Sequence, residues 1–140
     1  MAYGSLFSTK LINDARFDEA VEAASQEIDV APEDPEPYFN RGRAQAGRER
    51  WDAAVEDYAR ALGHDASASS VDPAEIDDEL FFALRQWAVM ERDHKQDLPA
   101  ALKILDRYLT LCPEGRHVGD LDTWRDHLRG IEHVWIRERA

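Results

Sequence analysis

Residues Pro35–Asp65 read PEPYFNRGRAQAGRERWDAAVEDYARALGHD, and this stretch decides the fold. Two amphipathic helices are legible in it. Tyr38, Arg41, Gly42 and Gln45 mark the first, a short polar turn follows, and Trp51, Ala54, Tyr58 and Ala61 mark the second at three- and four-residue steps. Asp34 before Pro35 supplies an N-cap and a proline in the first turn, where the missing amide hydrogen costs nothing. Gly42 and Ala54 remove bulk where two paired helices cross, and the aromatic rings fill the space on either side.

The stretch resembles a tetratricopeptide repeat, whose pattern of Trp-x2-Leu-Gly-x2-Tyr, then Ala-x3-Phe, then Pro recurs every 34 residues or so. Tyr38, Gly42, Ala54, Tyr58 and Ala61 fit that pattern, whereas Arg41 and Gln45 replace apolar residues and Ala66 stands at the proline place. One repeat length earlier, Phe7, Ser8 and Leu11 fall on a first helix. Phe17, Ala20 and Ala24 fall on a second, with Asp14–Arg16 as the turn and Glu27 where the family has Ala. Asp72 and Pro73 repeat the start signal, with Glu75 placed to complete a capping box. The helix that follows is expected to reach about His94, with Ile76, Leu80, Leu84, Trp87 and Ala88 as its apolar stripe. Ala88 is preferred to Val89 for the small-residue place because it is smaller and continues that stripe. Leu98–Leu111 is the partner helix. Leu121, Trp124, Leu128, Ile131 and Trp135 predict a closing amphipathic helix over about 119–138 that covers the exposed end of a repeat stack.

The resemblance therefore implies an all-α chain of about seven helices. They form antiparallel pairs stacked as a right-handed superhelix, an α-solenoid, in a single domain 1–140 with repeats at about 1–34, 35–68 and 73–114.

Composition narrows the function. A chain of 140 residues suits one core, and 44% apolar with 33% charged residues suits a folded, soluble, helix-rich protein. A net charge of −12 works against an extended nucleic-acid-binding face. No long apolar run and no signal-peptide layout is read, so neither membrane insertion nor export is expected, and the cytoplasm is the expected location. Cys112 is alone, and five histidines form no ligand cluster. Glu91 and His94 have the spacing of half a di-iron site, but no second pair accompanies them. With neither a phosphate loop nor a nucleophile elbow, no enzymatic activity, cofactor or metal is expected.

Binding is the remaining class. In the family the first helices of successive repeats line a concave groove, and the residues turned toward it are here Ser5, Thr9 and Ile12, then Phe39, Asn40, Arg43 and Ala46, then Phe82, Arg85, Gln86, Val89 and Arg92. Eight of these, Phe39, Asn40, Arg43, Phe82, Arg85, Gln86, Val89 and Arg92, are the candidate peptide-binding residues. Arginine offers a planar fork for carboxylates and the phenylalanines an apolar grip, so an acidic and apolar peptide segment of another protein is the expected partner. Of the carboxylate clamp that some family members use, only Asn40 matches. The competing expectation is a self-associating assembly factor or a small chaperone for an exported or aggregation-prone client, a homodimer joined through Trp124, Trp135 or the edge of the closing helix.

Overall fold

The computed structural model describes residues 2–64 and 71–130. All described secondary structure is helical, as the apolar spacing predicts. It comprises α1 (Ala2–Asn13), α2 (Phe17–Val30), α3 (Pro35–Gly47), α4 (Trp51–Leu62), α5 (Pro73–His94), α6 (Leu98–Leu111), a 3-10 turn (Val118–Asp120) and α7 (Leu121–Leu128). Among the described residues no helix is long and apolar enough to cross a membrane. The chain divides into two compact units, Met1–Ala83 and Leu84–Ala140, with the boundary inside α5.

Local chemistry sets the helix starts. The Asp34 carboxylate accepts the Glu36 N–H at 2.9 Å, that of Asp72 accepts Ala74 N–H at 2.9 Å, and that of Asp97 accepts Ala100 N–H at 3.0 Å. The return bond that a capping box would take from Glu75 does not form among the described residues.

The three helix hairpins turn alike. Ala15 (φ 58°), Glu49 (φ 61°) and Gln96 (φ 53°) take the left-handed conformation at the middle of three-residue turns. In the first two, the N–H groups of Arg16 and Arg50 reach the carbonyls of Leu11 and Gln45, five residues back, at 2.8 Å. In the third, Asp97 N–H reaches Glu91, six residues back, at 3.1 Å. That extra residue moves the register by one and makes Ala88 the counterpart of Ser8 and Gly42. Ala88 is fully buried and Val89 only partly so, in agreement with the smaller residue at the crossing.

Within Met1–Ala83, α1 packs on α2 and α3, and α3 on α4. Leu11, Ile12, Ala20, Ala23 and Ala44 form one apolar cluster, flanked by Phe17 and Val21. Arg41 makes a two-pronged bond to Asp57, Nε to Oδ2 at 3.0 Å and Nη2 to Oδ1 at 2.9 Å, and donates to Ser25 Oγ at 3.2 Å. At the far end of α4 the His64 ring stacks on Tyr38 at 5.0 Å, and its nitrogens lie 2.6 and 3.1 Å from the carbonyl oxygens of Arg60 and Pro32.

Within Leu84–Ala140, Leu84, Ala88, Ala101, Leu105, Tyr108, Leu121 and Leu128 are buried. The Arg125 guanidinium ties α7 to Asp106 of α6 at 2.7 Å. A Cβ on Gly115 would collide with the Tyr108 hydroxyl, which accepts the His117 N–H at 3.0 Å, so this approach requires glycine. Cys112 ends α6, its N–H on the Tyr108 carbonyl at 2.7 Å. Of the expected closing helix at about 119–138, the described part is α7, which ends at Leu128, and Gly130 takes φ 75°, the left-handed conformation that a glycine allows. Ile131 and Trp135 lie outside the described residues, as does the loop at 65–70.

Candidate functional site

The eight candidate residues fall four in each unit. In Met1–Ala83, Phe39 and Asn40 are turned inward. The Phe39 ring packs against Tyr58 with centroids 5.7 Å apart, and the Asn40 amide donates to Ser8 Oγ at 3.0 Å and to Thr9 Oγ1 at 3.3 Å. Ser8 Oγ in turn donates to Glu27 Oε1 at 2.8 Å. Ile12, another groove candidate, is buried in the apolar cluster, and the side chain of Ser5 lies outside the described residues.

Glu27 is 8% exposed, and its second carboxylate oxygen has no hydrogen bond among the described residues. Burial raises its pKa above the usual carboxylate value; the Ser8 bond works the other way, and Glu36 and Asp34 add to the rise. A carboxyl raised on folding contributes most at low pH, and that contribution is lost as pH climbs through its folded value. Glu27→Gln should therefore leave stability unchanged below about pH 4, where carboxyls are largely neutral, and raise it at neutral pH. Urea midpoints measured across pH will check this; parallel curves for the two proteins would refute it.

Arg43 and Phe82 face outward. Arg43 is half-buried, with its guanidinium carbon 5.8 Å from the Phe39 ring centroid, and makes no hydrogen bond or ion pair among the described residues. Phe82 is 41% exposed and meets the Trp51 ring edge-on at 5.6 Å. One turn before Phe82 on the same face of α5 is Glu79, half-buried and also without a hydrogen bond or ion pair among the described residues. Burial pushes the Glu79 carboxyl up, Arg43 pulls it down, and Glu75 and Asp78 push it further up. Tyr58 shares this field: its hydroxyl is buried without a hydrogen bond among the described residues, and burial, then Glu79, raise its pKa.

In Leu84–Ala140, Arg92 is engaged internally. It pairs with Asp93 at 2.7 Å and donates to the carbonyls of His127 and Leu128 at 3.1 and 3.4 Å, closing the C-terminal end of α7. The Arg85 guanidinium lies 4.4 Å from the Trp124 ring centroid, and burial lowers its pKa. Gln86 and Val89 are half-buried.

No family model, curated protein or solved structure matches the chain. Among the described residues no three His, Cys, Asp or Glu side chains are grouped to hold a metal ion, and Glu91 is paired with Lys95 at 3.1 Å.

Charge is divided unevenly. Met1–Ala83 has seven Lys and Arg against nineteen Asp and Glu, a difference of −12, while Leu84–Ala140 has ten of each. Arg43, with no ion pair among the described residues, lies in the acidic part of the chain. Glu79 and Trp51 were not among the sequence candidates. The three-residue step from Glu79 to Phe82 is the signal that could have found Glu79; nothing in the sequence joined Trp51 to Phe82.

Proposed function

We propose that the chain is a tetratricopeptide-repeat-like, non-enzymatic binding module that holds a segment of a partner protein, an adaptor or scaffold. The helix pairs stack as a right-handed superhelix, and the segment lies on the face made within Met1–Ala83 by the first helix of each pair. The recurrence of the hairpin turns supports the architecture, Ala15 and Glu49 standing 34 residues apart (49 − 15). One observation carries the binding role: Arg43, a half-buried cation with no ion pair among the described residues, and Phe82, an exposed ring braced by Trp51. Together they suit a segment with both acidic and apolar side chains. A desolvated charge-assisted bond of roughly 1.5–3 kcal/mol is large enough to oppose repulsion between two acidic molecules.

Self-association through Trp124 is less well supported, since that ring is already covered on one side by Arg85.

The test is a partner captured by cross-linking to the wild-type chain and identified by mass spectrometry, then measured against variants. Arg43→Glu combined with Phe82→Ala should weaken its binding more than about tenfold while helicity and thermal midpoint hold, and added salt should weaken the wild-type complex. Affinity that survives the double change, or that is lost only on changing Trp124, overturns the reading.

A further inference from the structure

We propose that α1 is held by a proton-dependent latch: neutral Glu27 keeps α1 seated on α2 and α3, and ionisation of Glu27 releases α1 while α2, α3 and α4 stay packed together. The latch does not depend on the peptide-binding role.

Three helices meet at this carboxyl. Glu27 is buried on α2, and the Ser8 hydroxyl of α1, itself fully buried, donates to its Oε1 at 2.8 Å. Asn40 of α3 donates in turn to Ser8 Oγ at 3.0 Å and to Thr9 Oγ1 at 3.3 Å. The second carboxyl oxygen, Oε2, is buried without a hydrogen bond among the described residues. An ionised carboxylate needs donors on both oxygens, and a neutral carboxyl costs far less in such a place. Neighbouring charges do not relieve it. The charged side chains of α2 are all acidic, and α1 carries Lys10, which is exposed. On α3, which starts from Asp34 and Glu36, Arg41 is taken by Asp57 and Arg43 lies against the Phe39 ring. Burial favours the neutral form and the Ser8 bond the charged one, with Glu36 and Asp34 on the side of burial.

The element that gives way is α1. Among its described side chains the buried apolar ones are Leu11 and Ile12, Phe7 being 57% exposed, whereas α3 packs directly on both α2 and α4. Water reaches Oε2 once α1 lifts, so charge on Glu27 favours the lifted state. Lifting bares Ala20, Ala23 and Ala44 and parts the Asn40 amide from Ser8 and Thr9, which changes the surface that α2 and α3 present. The balance is one proton given to solvent from Glu27, with no other covalent bond made or broken. A carboxyl raised in the docked state holds α1 best at low pH and lets go as pH climbs through that raised value.

Amide hydrogen exchange across about pH 5–9, above the ordinary carboxylate value, tests the latch, with protection taken relative to the unfolded-chain rate at each pH. In the wild type, protection of α1 should fall with rising pH, by up to about tenfold per unit, the limit for one proton, while α3 and α4 keep theirs. Glu27→Gln should make protection of α1 independent of pH and higher than in the wild type at about pH 8. Glu22→Gln, at an exposed position of the same helix, should keep the fall. Wild-type protection of α1 that does not vary with pH, or that falls together with that of α3 and α4, overturns the latch without recourse to any variant. A fall unchanged in Glu27→Gln overturns it as well.

Discussion

Asp57→Ala is expected to lower the free energy of unfolding by about 3 kcal/mol, the largest single effect among these substitutions. The Asp57 side chain is 4% exposed and both its oxygens are engaged by Arg41, itself 20% exposed. Truncating the carboxylate leaves a largely buried guanidinium with Ser25 Oγ as its remaining hydrogen-bond acceptor among the described residues. Breaking one side of such a pair typically costs about 3–5 kcal/mol, and the lower end applies because Arg41 keeps some contact with water. Arg60, itself exposed and 3.7 Å from Asp57, loses a distant partner but keeps its water, and that loss adds little. Removing both charges should behave differently. With Arg41→Leu and Asp57→Leu together no charge remains to be left unpaired, and most of the lost stability should return. Urea unfolding of the wild type, the single variant and the double variant separates the cases. A single variant within about 0.5 kcal/mol of wild type, the range of ordinary surface changes, would mean the pair contributes nothing.

The contrast between that pair and the helices shows what the sequence could tell. Helix bounds are local chemistry: Asp–Pro starts and apolar spacing locate α3, α5 and α6 without tertiary information. Pairing is not local. Arg41 stood out as a charge at an apolar place, but Asp57 lies 16 positions on (57 − 41), and any acid on the next helix would have fitted the pattern equally well. Glu27 shows the same limit. It replaced a small residue at a packing position, and only the structure shows that it is buried against Ser8.

The groove residues divide for a related reason. Counting along a helix tells which side chains share a face, and the edge of that face is decided by how closely the neighbouring helix approaches. Phe39 and Asn40 fell just inside that edge, Arg43 and Phe82 just outside it. Arg92 stands at a groove-facing position of α5 by helical counting; the carbonyls that hold it belong to the end of α7 at Leu128, a boundary that apolar spacing does not mark.

Gly42→Ala sets two opposing effects of known size against each other. Alanine in a helix interior is favoured over glycine by about 1 kcal/mol. Its Cβ, however, would lie 2.5 Å from Cε1 and 2.7 Å from Cδ1 of Tyr58, closer than such atoms come in folded proteins. The ring has little room to retreat, being fully buried with Phe39 against it, and overpacking of this kind costs about 1–3 kcal/mol. The clash should win, with a net loss of about 1–2 kcal/mol. Gly42→Val adds two further carbons at the same crossing and should lose more. Gly63→Ala is the control, because its added carbon meets only the Arg60 and Ala59 carbonyls at 3.5 and 3.6 Å, an ordinary contact. If the ring is the obstacle, Tyr58→Leu should couple with Gly42→Ala, the double variant losing less than the two single losses combined. A higher urea midpoint for Gly42→Ala than for wild type would mean that helix propensity outweighs the contact, and that α3 and α4 do not cross as closely as the Gly42 and Tyr58 positions require.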